Sequence, residues 1–268
     1  VNSYELSFDK DFSVDRILLL NDRVFIFYSK YVKDDKTYKL YCHILSPELR
    51  MLKQKRFVAS TKVNASDNGL FKVEKDIFTN NLLVLFPEKI ENETVFFKIM
   101  VLDNSMDLVY DKTINLLPER ELKLKEVHLY ENYAALMLSE KYGSKLMGQK
   151  EQTLLLLYDL EKKKKNIVKL YNDSLRLMNS HLKYDLLNKE FNVTGFYAGI
   201  KNDQLKGIAQ VKVDPFKSSV HYKFSVFTPT MEAEILGRSN RQSGIVNYIP
   251  RDVILRNDGG VVIVAEYY

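Results

Sequence analysis

The stretch Arg251–Tyr268, Arg-Asp-Val-Ile-Leu-Arg-Asn-Asp-Gly-Gly-Val-Val-Ile-Val-Ala-Glu-Tyr-Tyr, decides the fold. It reads as a short strand, a tight polar turn, and a nearly continuous apolar strand with a polar, aromatic exit. Asn257-Asp258-Gly259-Gly260 supplies residues that tolerate positive φ, which hairpin turns require. Val261–Val264 is β-branched and apolar on both faces, so this strand is expected to be buried on both sides.

The same unit recurs upstream. Short apolar runs and period-two alternation dominate the chain, and 3.6-period segments are scarce. The third strand of each set ends at a polar turn residue, Ser46, Asp103, Asp159 or Asp214, at intervals of 57, 56 and 55 residues. A second landmark closes the second strands: Ser29-Lys30-Tyr31, Glu88-Lys89-Ile90, Glu140-Lys141-Tyr142 and Glu266-Tyr267-Tyr268. Two landmarks recurring together at this period are the signature of β-propeller blades. A lone four-stranded sheet leaves a face uncovered, whereas stacked blades bury both. The expected fold is all-β, a β-propeller of four-stranded antiparallel blades of about 56 residues, with about five blades or as part of a larger ring. Blades are expected at 9–60, 67–117, 121–174, 178–228 and, incomplete, 246–268, in a single domain.

One insertion breaks the period at 229–245. Thr228 suits an N-cap, Pro229 the first helical position and Gly237 the stop, so a short helix is expected there, followed by a basic loop with Arg238 and Arg241.

Composition limits the function classes. The net charge of +5 comes from 40 basic and 35 acidic residues spread along the chain. A nucleic-acid binder would concentrate that excess on one element. No apolar run is long enough to span a membrane as a helix. Cys42 is the single cysteine, which excludes an intrachain disulfide and a multi-cysteine metal site.

Two segments carry a resemblance. Val24–Tyr31 with Lys36–Tyr41, and Arg251–Leu255 with Asp258–Glu266, resemble blade motifs of uncharacterised β-propeller-like repeat proteins of Bacteroidota. The recognisable motifs span only about 40 residues of a blade layout that covers the chain. They are structural and carry no catalytic residue. The resemblance implies an exported protein, periplasmic or associated with the outer membrane.

No linear catalytic motif stands out. Gly195-Phe196-Tyr197-Ala198-Gly199 lacks the lysine and following helix of a phosphate loop. His43, His128, His181 and His221 fall on third, first, first and fourth strands, positions that do not converge on one metal. Turn capping accounts for Asp103, Asp159 and Asp214. No cofactor or metal site is expected. The charges closing the second strands, Lys30, Glu88, Lys89, Glu140, Lys141 and Glu266, together with Arg238 and Arg241, form the candidate interaction surface. The reading favoured by the sequence is a non-enzymatic platform for a protein partner in a cell-envelope complex. The alternative is a propeller enzyme or carbohydrate-binding protein, with a small-molecule or glycan site in a central funnel.

Overall fold

The structure, a computed structural model, describes residues 12–62, 71–76, 78–91, 94–116, 122–142, 150–170, 175–199, 204–217, 219–236, 245 and 248–267. The fold is all-β and of the β-propeller type, a succession of four-stranded antiparallel sheets, each a meander. The chain forms two compact units, Val1–Arg120 with His128–Asn132, and Glu121–Val127 with Tyr133–Tyr268.

The first unit holds two sheets. One is β1 (Phe12–Leu20), β2 (Arg23–Val32), β3 (Thr37–Leu45) and β4 (Met51–Thr61); the other is β5 (Lys72–Lys75), β6 (Leu82–Glu91), β7 (Thr94–Leu102) and β8 (Leu108–Leu116). Asn21 and Asp22 both take positive φ, 47° and 53°, giving the two-residue hairpin whose twist matches its strands. Phe25, Phe27, Leu40 and Cys42 of the first sheet pack with Leu82, Val84 and Phe86 of the second, and with Phe71 just before β5, in one apolar cluster. That cluster explains why the middle strands β2 and β6 carry continuous apolar runs and the flanking ones do not. Burial pushes the Cys42 thiol up to about 12, so it behaves as a small core hydrophobe.

The second unit holds β9 (Leu122–Tyr130), whose first residues belong to it, with β10 (Tyr133–Tyr142), β11 (Lys150–Asp159) and β12 (Lys164–Lys169). Next come β13 (Leu175–Asp185), β14 (Glu190–Gly199), β15 (Leu205–Asp214) and β16 (Ser219–Val226), then α1 (Pro229–Leu236) and the hairpin β17 (Tyr248–Leu255) with β18 (Val261–Tyr267). Asp159 and Asp214 cap the third-strand turns: Asp159 Oδ1 accepts from the Lys162 N–H, and Asp214 Oδ1 from the Phe216 and Lys217 N–H groups. Asp103 and Ser46 do the same in the first unit. Thr228 Oγ1 caps α1 by accepting from the Met231 N–H at 3.2 Å. The helix is a packing element: Ile235 joins the cluster of Phe196, Leu205, Phe227 and Ile245, and the Tyr248 hydroxyl donates to the Ile235 carbonyl. Gly237, Arg238 and Arg241 lie outside the described residues.

Two expectations are corrected. The apolar stretch Val261–Val264 is not buried on both sides. Val261, Ile263 and Ala265 are half-buried, while Val262 and Val264 are 44% and 48% exposed. The reason is the sheet: β17–β18 has two strands, so among the described residues none beside β18 plays the part that β15 plays for β14. Second, β13 runs over Leu175–Asp185, so the sheet starts three residues before the expected blade boundary at 178. Its N-terminal half is hidden from a period-two reading by a bulge at Asn179–Ser180, which shifts the pairing between Met178 and His181.

Candidate functional site

Bulges recur in the first strand of a sheet. In β1 the extra residue is Asp15, in β13 Asn179 and Ser180 stand opposite Gly195, and in β17 it is Arg251. The β13 bulge needs Gly195, because a Cβ there would lie 2.7 Å from Ser180 Cα and 2.8 Å from Ser180 Cβ. A bulge bends its strand and re-aims the side chains beside it. In the second unit it opens a cleft of about 670 Å³. Lys125 and Glu126 of β9, Met137 and Ser139 of β10, and Glu151 and Thr153 of β11 line one part of it. Arg176–His181 of β13 and Ile249–Pro250 of β17 line the rest.

His181, just past the bulge, ties three first strands together. Its Nδ1 lies 2.7 Å from Glu126 Oε1, and its Nε2 lies 3.1 Å from the Pro250 carbonyl oxygen. The second oxygen of Glu126 accepts the Leu182 N–H at 2.8 Å. Both partners of the ring are acceptors, so this geometry suits the doubly protonated imidazolium, which donates from both nitrogens. Hydrogen bonding to Glu126 is the main cause of a pKa raised above 6.5, with burial opposing it. When protonated, His181 is a cationic staple with both ring nitrogens engaged.

The remaining charges of the cleft are also engaged. Lys125 Nζ pairs with Glu151 Oε2 at 3.2 Å, and the buried Arg176 sits in the wall. Ser180 Oγ donates to Met137 Sδ at 3.5 Å. Ser139 differs: it is 3% exposed, and its hydroxyl has no hydrogen-bond partner. Among the described residues, no three His, Cys, Asp or Glu side chains group in a way that would hold a metal ion.

Of the charged sequence candidates whose side chains are described, none lines this cleft. Glu140 is buried, accepting from Gln152 Nε2 at 2.6 Å, and so belongs to the interior of its sheet and not to an open rim. Glu88 accepts from the Thr113 hydroxyl at 2.6 Å, and Lys30 pairs in register with Lys39 across β2 and β3. Glu266 makes an exposed ion pair with Arg251 at 2.7 Å. The side chains of Lys89 and Lys141 lie outside the described residues. Of the histidines, only His181 lines the cleft. His43 is stacked on Tyr28 with centroids 4.9 Å apart, and burial lowers its pKa.

The cleft residues had one sequence signal. Glu126 and His181 are 55 residues apart, one repeat period, and Glu126 and Leu182 are 56 apart. The same spacing recurs in the first unit, where Arg16 binds Glu74 at a separation of 58 and the Glu131 N–H donates to Asp76 at 55. Equivalent positions on successive first strands stand side by side. His181 and Pro250 are 69 apart because α1 and its flanks lie between them.

No protein-family model matches the chain, and no curated sequence matches it. Solved structures align with it at low similarity. A point mutant of Synechocystis apocarotenoid oxygenase aligns with a TM-score of 0.42 and 11% identity over 78% of this chain and 47% of that one. A thermostable family-43 glycoside hydrolase gives 0.42 and 9% over 80% and 75%. Cellvibrio cellulosa alpha-L-arabinanase complexed with arabinohexaose gives 0.38 and 10% over 77% and 75%. The chain thus spans about half the length of the oxygenase. At this level of similarity no site residue transfers.

Proposed function

We propose that the second unit is a binding module for a small polyhydroxylated ligand of the carbohydrate class, seated in the cleft, and that it binds without catalysing. The observation that supports this reading is the Ser139 hydroxyl, buried in the cleft wall without a partner. Leaving a buried hydroxyl unsatisfied costs about 1–3 kcal/mol, which a ligand hydroxyl offsets. Thr153 and Asn179 add neutral hydrogen-bonding groups, while Leu177, Met178, Ile249 and Pro250 add apolar surface. A sugar presents both kinds of surface, hydroxyls at its rim and C–H groups on its faces. Binding is favoured over catalysis because His181, Glu126 and Glu151 are each held in an ion pair. A saccharide panel screened by saturation-transfer NMR tests the reading. Transfer to at least one saccharide, suppressed by the cleft-filling Ser139→Met variant, is the expected result. A silent panel, or transfer that survives the variant, would overturn it.

A second reading, an interaction platform for a protein partner, is favoured by β18, whose Val262 and Val264 remain exposed. The partner suited to it is an extended segment that pairs antiparallel with β18, as β15 pairs with β14. Titrating a peptide with the Leu205–Asp214 sequence against the wild-type chain and Ala265→Pro checks this. Binding that the proline abolishes supports it, and no binding to the wild type removes it.

A further inference from the structure

We propose that His181 is a positioning residue that holds the Ile249–Pro250 wall of the cleft in place, and that this clasp opens when the imidazolium loses its proton. For its consequence, a ligand affinity that depends on pH, the proposal rests on the cleft being a binding site.

The geometry is specific. The Pro250 residue has no N–H of its own, so its carbonyl is the group through which β13 can grip it. His181 Nε2 reaches that carbonyl at 3.1 Å, while Nδ1 is anchored on Glu126 at 2.7 Å. Pro250 also precedes the bulge at Arg251, where the β17–β18 ladder is interrupted. The wall is therefore held across the strands at the point where its own sheet holds it least.

A neutral imidazole has one N–H and cannot donate to both acceptors. The Glu126 carboxylate, the stronger acceptor, keeps the proton. The Pro250 carbonyl then faces an unprotonated nitrogen, lone pair against lone pair, and the contact turns repulsive.

The groups around the ring come from each packed element. Glu126 and Lys125 lie on β9, Arg176 and Lys183 on β13, and Asp252 and Arg251 on β17, with Glu151 of β11 across the cleft. Lys183 is drawn off by Asp252 at 3.0 Å, and Lys125 by Glu151 at 3.2 Å, which leaves Glu126 as the anion in contact with the ring. With the folded value above 6.5, the clasp is complete below about pH 6.5 and is lost as pH rises through the raised folded value.

Hydrogen exchange read by mass spectrometry on the 268-residue chain tests the proposal, following peptides over Tyr248–Leu255 and correcting for intrinsic rates at each pH. The expected result is protection that falls about tenfold between about pH 5.5 and about pH 9, while peptides from β14 stay unchanged. In His181→Gln the profile becomes flat. In Glu126→Gln, which keeps the histidine but removes its anion, the fall moves to lower pH; this variant decides the matter if His181→Gln does not fold. A flat wild-type profile, or a pH dependence that survives His181→Gln, would overturn the proposal. The readout needs no ligand, so a failed clasp leaves the saccharide reading standing, and a silent saccharide panel leaves the clasp standing.

Discussion

Asp15 shows what a single bulged residue does to a first strand. Both its carboxyl oxygens are buried, and neither makes a hydrogen bond of good geometry. Burial pushes its pKa up to about 6, with the Ser29 hydroxyl and the Lys72 charge opposing. The folded value is raised, so the penalty is absent below an unfolded pKa near 3.8 and grows as pH rises through about 6. Asp15→Asn is therefore expected to stabilise the chain by about 1–2 kcal/mol at neutral pH, after discounting for residual exposure, and to be nearly neutral at about pH 4. Thermal melts at the two pH values check this. Gly207 makes an opposite demand, because a Cβ there would meet Ser225 O at 2.0 Å, a backbone atom that cannot turn aside. Gly207→Ala is expected to cost about 3 kcal/mol or more by forcing β15 from β16. Gly195→Ala is expected to cost about 1–3 kcal/mol, because Ser180 can shift, but the shift spoils the bulge that opens the cleft. Denaturant melts of both variants, with exchange over β13, separate the two cases. Residues of this kind were not legible in the sequence. The bulges at Asp15 and at Asn179–Ser180 carry no Gly or Pro on the bulged strand to announce them, whereas the one at Arg251 has Pro250 beside it.

At the scale of the strand, similar sequences meet different fates. Val193 of β14 and Val264 of β18 both sit on second strands of their sheets, yet Val193 is fully buried and Val264 is 48% exposed. Period-two patterning records what a strand is able to bury, and the number of neighbouring strands decides what it does bury. Val193→Ala is accordingly expected to cost about 2 kcal/mol and Val264→Ala within about 0.5 kcal/mol, as equilibrium unfolding would measure. The turns were the legible part of each element. An aspartate that closes the third strand has its carboxylate in range of the next N–H groups, and Asp103, Asp159 and Asp214 each use it so. The helix was legible for the same reason, since Thr228 and Pro229 are local signals.

Across the whole molecule, the repeat that announces the fold also says which residues meet. Side chains one period apart on first strands are neighbours, as Arg16 and Glu74 are in one unit and Glu126 and His181 in the other. Read singly, the four histidines looked scattered; read modulo the period, His181 has a carboxylate beside it. The charged candidates were chosen by their place in the repeat, and strand register alternates faces, so Glu140 turns inward while Glu266 stays out. Ser139 was out of reach of either argument, since an unpartnered hydroxyl is a property of the folded chain. It is also the group on which the ligand-binding account turns. The most direct measurement is calorimetric titration of a saccharide from the panel into wild type and Ser139→Ala, paired with thermal melts of both. The account predicts binding weakened about tenfold in the variant together with an unchanged or higher melting temperature, because the alanine removes an unsatisfied buried hydroxyl. Equal affinity, or weaker binding accompanied by a lower melting temperature, would contradict it.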